Sequence, residues 1–332
     1  MSNLYYAILF INKVLKKIKN NVSLFDDEQR TLYDGESKNK APLSMLHNPL
    51  IDVSIPFMLP RFSLRGRLVR LQNVSSKILH QHAYSFPIAK ILAEFLVAGA
   101  ALAGLLKFKG VFTLQTKTNG PLNLTVIDVT DGGHMRGYAQ FNPEKFGSND
   151  TFKDLLGQGY LGFTIDQGLN SDRYQGIVSL NHDGLSQALE HYFDQSEQLA
   201  TRLCIASEKT REGTWKSSAL LLQQLPTQNV SQETWTHIDA LLNTLFPEEF
   251  LDFSIPCDTL LTRLFHEGSL TVFDPLFLKA QCRCSKERIR DFLATLIPGE
   301  IEALLEKEQL KMTCEFCNHR YTFNRKDIIT LH

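Results

Sequence analysis

Four of the six cysteines form two short pairs near the end of the chain: Cys282-Arg283-Cys284, then 29 residues, then Cys314-Glu315-Phe316-Cys317. Thiolates are soft metal ligands, and two chelating pairs supply the four sulfurs that a tetrahedral structural zinc site requires. Each pair comes from one local turn, so the long loop between them is closed only once. Asn318, directly after the second pair, tolerates the left-handed conformation such a turn often needs. His319 is a rival fourth ligand and ranks below the cysteines, because using it would leave one thiol idle. The expectation is one Zn2+ per chain, held by Cys282, Cys284, Cys314 and Cys317. Such a site is either an inert clip or a switch, since a reachable thiolate is what oxidants attack.

The residues that must position these sulfurs fall into two stretches. The module 279–332 carries ten basic and eight acidic residues, a net of +2. Helical spacing appears at Ile289, Phe292, Leu293 and Leu296, and again at Ile301, Leu304 and Leu305 after Pro298-Gly299. Tyr321 to Phe323 reads as a strand. About 50 residues are too few to build a core easily, so metal affinity becomes folding energy, roughly 10–16 kcal/mol for structural zinc. The preceding stretch, 229–278, is acidic: eight carboxylates against Arg263 alone, a net of -7. It is also rich in aromatics, with Trp235, Ile238, Leu241, Leu242 and Leu245 at helical spacing, as are Leu260, Leu261, Leu264 and Phe265. These short helices must lie against a neighbour, and crowded like charge opposes that docking, which predicts the least stable part of the fold. Loss of the metal should loosen both stretches and expose apolar surface able to bind unfolded chains.

Residues 54–228 read as a mixed α/β core domain with antiparallel sheets, giving an α+β class with a helical linker region, 229–278, and a small four-cysteine zinc module, 279–332. Helices are expected at Ser75 to Gln81, Ile88 to Leu106 and Leu185 to Phe193. Strands are expected at Val111 to Thr116, Leu122 to Asp128, Met135 to Phe141, Tyr160 to Ile165, Tyr174 to Leu180, Leu203 to Ala206 and Ala219 to Leu225. The apolar run Phe95 to Leu106 is too short to span a bilayer and reads as a helix buried in a soluble core. The segment 1–53 reads as a poorly ordered extension; its lysines follow the apolar run Leu4 to Ile11 rather than precede it, the reverse of a signal peptide. Cys204 reads as a buried strand residue. Cys257 reads the same way, or as a stray thiol in a mobile region.

With 43% hydrophobic and 21% charged residues and a net charge of -1, the composition excludes a chain disordered throughout, a rod or a wholesale polyanion binder. Ten scattered histidines, no Ser/His/Asp arrangement and no phosphate-binding G-x-x-x-x-G-K-[ST] loop argue against an enzyme. Gly132-Gly133 reads as a hairpin turn, and Asp166, Asp172 and Asp183 as solvated turn residues. A nucleic-acid-binding zinc module is the alternative, and it is opposed by a +2 module next to a -7 stretch.

The cysteine pairs and Tyr321-Thr322-Phe323-Asn324 resemble the heat-shock protein 33 family of redox-regulated bacterial holdase chaperones. So do Thr271-Val272-Phe273-Asp274-Pro275, the run His191 to Gln198, Arg173-Tyr174-Gln175-Gly176, His134-Met135-Arg136-Gly137-Tyr138 and the helix Glu94 to Leu106. The resemblance covers roughly Phe57 to Thr330 and leaves the N-terminal segment unmatched. It implies a cytoplasmic stress-response protein that is zinc-bound and inactive when reduced. It further implies oxidation to the disulfides Cys282–Cys284 and Cys314–Cys317, zinc release, linker unfolding and homodimerisation. The oxidised form would hold unfolding client proteins without ATP, and neither nucleic acid nor membrane would be a partner.

Overall fold

The fold was obtained as a computed structural model that describes residues 48–147, 150–166, 174–226, 229–294 and 309–324. The expectations for residues 1–47, Asp172, Leu296 and the helical pattern Ile301 to Leu305 lie outside these residues.

Two paired strands begin the core, β1 (Val53–Leu59) and β2 (Leu64–Leu71). Neither is legible in the sequence, because Pro56 interrupts the first and Arg65, Arg67 and Arg70 interrupt the second. Their register sets Phe57 opposite Gly66. The Phe57 ring fills the space a Cβ on Gly66 would need, so glycine is required there. Helix α1 (Asn73–Leu79) follows; the Asp52 carboxylate accepts the Gln72 and Val74 amides at 2.9 Å each and caps it from the start of β1.

Helix α2 (Phe86–Leu105) is built from small and aliphatic residues, with Pro87 in its first turn. Its length and mean hydropathy of 1.9 would suit a membrane span, yet 83% of that window is buried inside the protein. The expected core helix is therefore present. It lies between two sheets. Strands β3 (Val111–Thr118), β4 (Leu122–Thr130) and β5 (His134–Phe141) form a meander. The turn between β4 and β5 runs through Asp131-Gly132-Gly133, where Gly133 takes φ 78° and its amide bonds Thr130 O at 2.9 Å. After the short helix α3 (Phe152–Leu156) come β6 (Gly159–Asp166), β7 (Tyr174–Ser179), helix α4 (Leu185–Tyr192), β8 (Thr201–Lys209) and β9 (Trp215–Gln224). The strands expected between Val111 and Leu225 all occur, with ends moved by a few residues.

The acidic stretch folds into α5 (Gln232–Leu242), α6 (Pro247–Phe250) and α7 (Cys257–Phe265). Three two-residue strands continue it: β10 (Thr271–Val272), β11 (Leu276–Phe277) and β12 (Lys279–Ala280). The module contributes α8 (Lys286–Leu293) and the hairpin β13 (Gln309–Thr313) with β14 (Arg320–Asn324).

The first sheet runs β10-β1-β2-β9-β8, with β11 also on β1; the second runs β12-β5-β4-β3-β6-β7. All pairings among the described residues are antiparallel except β12 with β5. The α+β class expected from sequence is the class observed. One core surrounds α2 between the sheets and includes Phe95, Leu96, Phe112, Ile127 and Leu221. A second core lies on the opposite face of the first sheet, where Trp235, Ile238, Leu260, Leu264 and Phe265 pack on Ile55, Phe57, Leu64, Leu68 and Leu222. The acidic stretch does lie against a neighbour, and that neighbour is this sheet face. Cys257 sits fully buried in this second core, which corrects the reading of a stray thiol. Cys204 on β8 is half-buried beside the same core, and burial pushes its thiol up to about 11. Among the described residues the module has only a satellite core of Leu293, Leu310 and Phe323.

Candidate metal centre

The Sγ atoms of Cys282, Cys284, Cys314 and Cys317 all lie within 4.8 Å of one another. Strand β12 delivers the first pair, because Cys282 follows two residues after its end. The second pair occupies the turn of the β13–β14 hairpin. There Cys314 N–H donates to His319 O at 2.9 Å and Asn318 N–H to Cys314 O at 2.8 Å. Asn318 adopts φ 55°, the left-handed geometry expected of it. The His319 ring packs against Tyr321, with centroids 4.6 Å apart. Among the described residues the ligand cluster comprises the four cysteines alone.

The donor set fits a tetrahedral soft metal. Zn–S bonds of about 2.3 Å place sulfurs about 3.8 Å apart, and Cys282 Sγ lies 3.7 Å from Cys314 Sγ and Cys284 Sγ 3.3 Å from Cys317 Sγ. The protonation pattern agrees. Burial alone would raise the Cys282 thiol, but the Cys284 amide, neighbouring thiols and Arg136 outweigh it and bring it down to about 7. Cys314 and Cys317 are pushed up, first by burial. A divalent cation at this point favours the thiolate form of every sulfur that it binds. The Tyr321 hydroxyl donates to Cys284 Sγ at 3.1 Å, an outer contact that orients a ligand.

On the core side, Arg136 of β5 lies over the Phe316 ring, 3.8 Å from its centroid, with one terminal nitrogen 4.0 Å from Cys282 Sγ. Asp128 of β4 accepts from Arg136 Nε at 2.7 Å and from Arg283 at 2.6 Å. Sequence reasoning did not single out Asp128, Arg136, Arg283 or Phe316 for this contact. The positions of Arg283 and Phe316 between paired cysteines, and of Arg136 within the His134 to Tyr138 motif, were the available signals. Of the acidic residues weighed as solvated turns, Asp183 is as expected an exposed partner of Lys153 at 2.7 Å, whereas Asp166 is a half-buried strand residue, the last of β6, paired opposite Val111 because the strand runs on beyond the expected end at Ile165.

Residues 52–324 match the family model described as Hsp33 protein. The 33 kDa chaperonins of Shigella flexneri serotype 5b and Escherichia coli K12 are each 38% identical over 273 residues. The match covers 82% of this chain in both cases, and 93% and 92% of those proteins respectively. The crystal structure of the 33 kDa chaperonin from Thermotoga maritima superposes with a TM-score of 0.72 at 25% identity, over 84% of this chain and 97% of that one. With its fold, its cysteine cluster and nearly the full length of these relatives matched, the chain belongs to the Hsp33 family of chaperones.

Proposed function

We propose that this chain is a redox-regulated, ATP-independent holdase that keeps unfolding and oxidatively damaged proteins from aggregating in the bacterial cytoplasm. The observation that carries the reading is the direct join, through β12, of a four-thiol cluster to an acidic helical stretch covering an apolar sheet face. In the reduced state one Zn2+ is held by Cys282, Cys284, Cys314 and Cys317. When bound, the ion keeps the four sulfurs ionised and ties the two turns together. Among the described residues the module's own apolar core is three buried side chains, so metal affinity supplies much of its folding energy.

A peroxide oxidises each pair: two thiolates lose two electrons, one S–S bond forms, and one hydrogen peroxide takes up those electrons and two protons from solvent to become two waters. The proposed bonds are Cys282–Cys284 and Cys314–Cys317. Bonds within the pairs leave the turns unlinked, whereas bonds across them would staple the module shut. All four sulfurs lie within 4.8 Å of one another, so each within-pair bond can close with a local movement of its own turn. The stretch 229–278 then loses its anchor, and Ile55, Phe57, Leu64, Leu68 and Leu222 become available to apolar client segments or to a second copy in a homodimer. Nucleic acid and membrane are not partners in this reading.

The test treats reduced, zinc-loaded protein with peroxide at elevated temperature, following zinc release with a colorimetric chelator and client aggregation by light scattering. Stoichiometric release together with suppressed scattering, both reversed by reductant plus zinc, is the expected result. Zinc release without client protection sinks the reading, and salt-dependent nucleic-acid binding would then favour the alternative.

A further inference from the structure

Both ligand turns rest on the same edge of the second sheet. For the first turn, Lys279 N–H donates to Gly133 O and Gln281 N–H to Met135 O, each at 2.9 Å, extending the parallel pairing of β12 with β5 up to Cys282. Arg283 then folds back onto Asp128, whose side chain is only 5% exposed. For the second turn, the Phe316 ring inserts beneath the Arg136 guanidinium and beside Tyr138, and His82 Nε2 lies 3.4 Å from Phe316 O. Arg136 is common to both turns, since it pairs with Asp128, covers Phe316 and reaches towards Cys282. Asp128 is held in place by Thr113 Oγ1 at 2.6 Å. A buried carboxylate shared by two guanidiniums is a strong contact when paired and a costly one when a partner is removed.

The positions of the two module residues give this cluster a consequence. Arg283 lies between Cys282 and Cys284, and Phe316 between Cys314 and Cys317. Each therefore sits inside the ring that a within-pair disulfide would close, and closing so small a ring redirects the residues it contains. We propose that Asp128, Arg136, Arg283 and Phe316 form a latch that clamps both ligand turns to β5 and is sprung when either cysteine pair closes on itself. Asp128 and Arg136 are positioning residues: they pass the state of the sulfurs to the core sheet through β12. The springing step rests on the redox reading above, while the clamp itself does not.

The test uses the full-length, reduced, zinc-loaded chain with Arg283→Gln, Phe316→Ala and Phe316→Tyr. Arg283→Gln leaves Asp128 paired with Arg136, so the core keeps its buried ion pair. Amide hydrogen exchange at Lys279 and Gln281 is compared with exchange in the β13–β14 hairpin, and zinc content is measured alongside. Arg283→Gln and Phe316→Ala should keep one zinc per chain and a protected hairpin while the Lys279 and Gln281 amides exchange at least tenfold faster. Phe316→Tyr, which keeps the aromatic face, should behave as wild type. Peroxide should raise exchange at the same two amides in wild type. Unchanged exchange in both variants, or loss of zinc from them, overturns the latch, as does continued protection of these amides in oxidised wild type. If oxidation frees the amides but clients still aggregate, the latch stands and the holdase reading fails.

Discussion

The two faces of the first sheet are equally dry yet differently secured. Val69, Leu71, Ala219 and Leu221 face α2, and Ile55, Leu64, Leu68 and Leu222 face α5 to α7; all are 0% exposed. Apolar area alone would rate the two coverings alike. The difference lies behind the helices. Helix α2 carries only Lys90 and Glu94 as charges and is backed by the second sheet, so it cannot leave without opening the whole core. Helices α5 to α7 carry most of a -7 charge, are backed by solvent, and continue through β12 into the cysteine module. Whether a buried face is permanent or conditional is set by what stands behind its cover.

The largest effect that would sharpen this contrast comes from the proposed metal ligands. Cys314→Ser with Cys317→Ser should reduce zinc from one per chain to nearly none, removing a contribution of about 10–16 kcal/mol from the module. Limited proteolysis should then cut within residues 279–324 and leave α2 and its sheets intact. Next come two phenylalanines that are both fully buried, Phe95 on α2 and Phe265 on α7. Either change to alanine should cost about 3–5 kcal/mol locally. Phe95→Ala should lower the main thermal transition, whereas Phe265→Ala should mainly raise hydrogen exchange across 229–278. Equal drops in the main transition would break the comparison.

A smaller effect, of opposite sign, is expected at Arg70. Its guanidinium is fully buried beneath the acidic stretch; it donates to Ile255 O at 2.6 Å and lies 5.1 Å from the Phe253 ring centroid. Nε and the second terminal nitrogen have no hydrogen-bond partner among the described residues, and burial lowers the pKa of the group despite nearby Cys257 and Asp252. Arg70→Met should stabilise docking by about 1 kcal/mol or more, read as slower exchange in α7 and more peroxide needed for client binding. The smallest effect is at Glu94 on α2, whose carboxyl is raised above 4.5 by burial, with Lys90 and Ser207 opposing. A raised folded-state pKa means that its stabilising contribution is fully present below pH 4.5 and is lost as pH rises through the folded value. Glu94→Gln should therefore flatten the pH dependence of the main transition in that window; an unchanged slope would remove Glu94 from the account.

Local pattern made much of this legible. Alternation and turn residues marked β3 to β9, helical spacing marked α5 and α7, and the paired cysteines marked the four-sulfur cluster. Strands β1 and β2 were hidden because their period-2 signal is broken by Pro56 and by arginines on both faces, one of which, Arg70, is buried. The two-residue strands β10 to β12 are too short to carry any period. Burial of Cys257 was one of two readings left open, since a thiol in a short helix looks the same whether or not a sheet lies beneath it.

By itself the sequence determined which residues could hold a metal, because two chelating pairs are a property of short turns and of sulfur chemistry. It also determined that the acidic helices needed an apolar neighbour. Only the tertiary structure decided that this neighbour is the back of the first sheet, and that Asp128 meets an arginine 155 residues away between two of the clustered cysteines. Contacts at that separation depend on how the sheets stack and on which edge remains open for β12. Neither is written in any local run of residues.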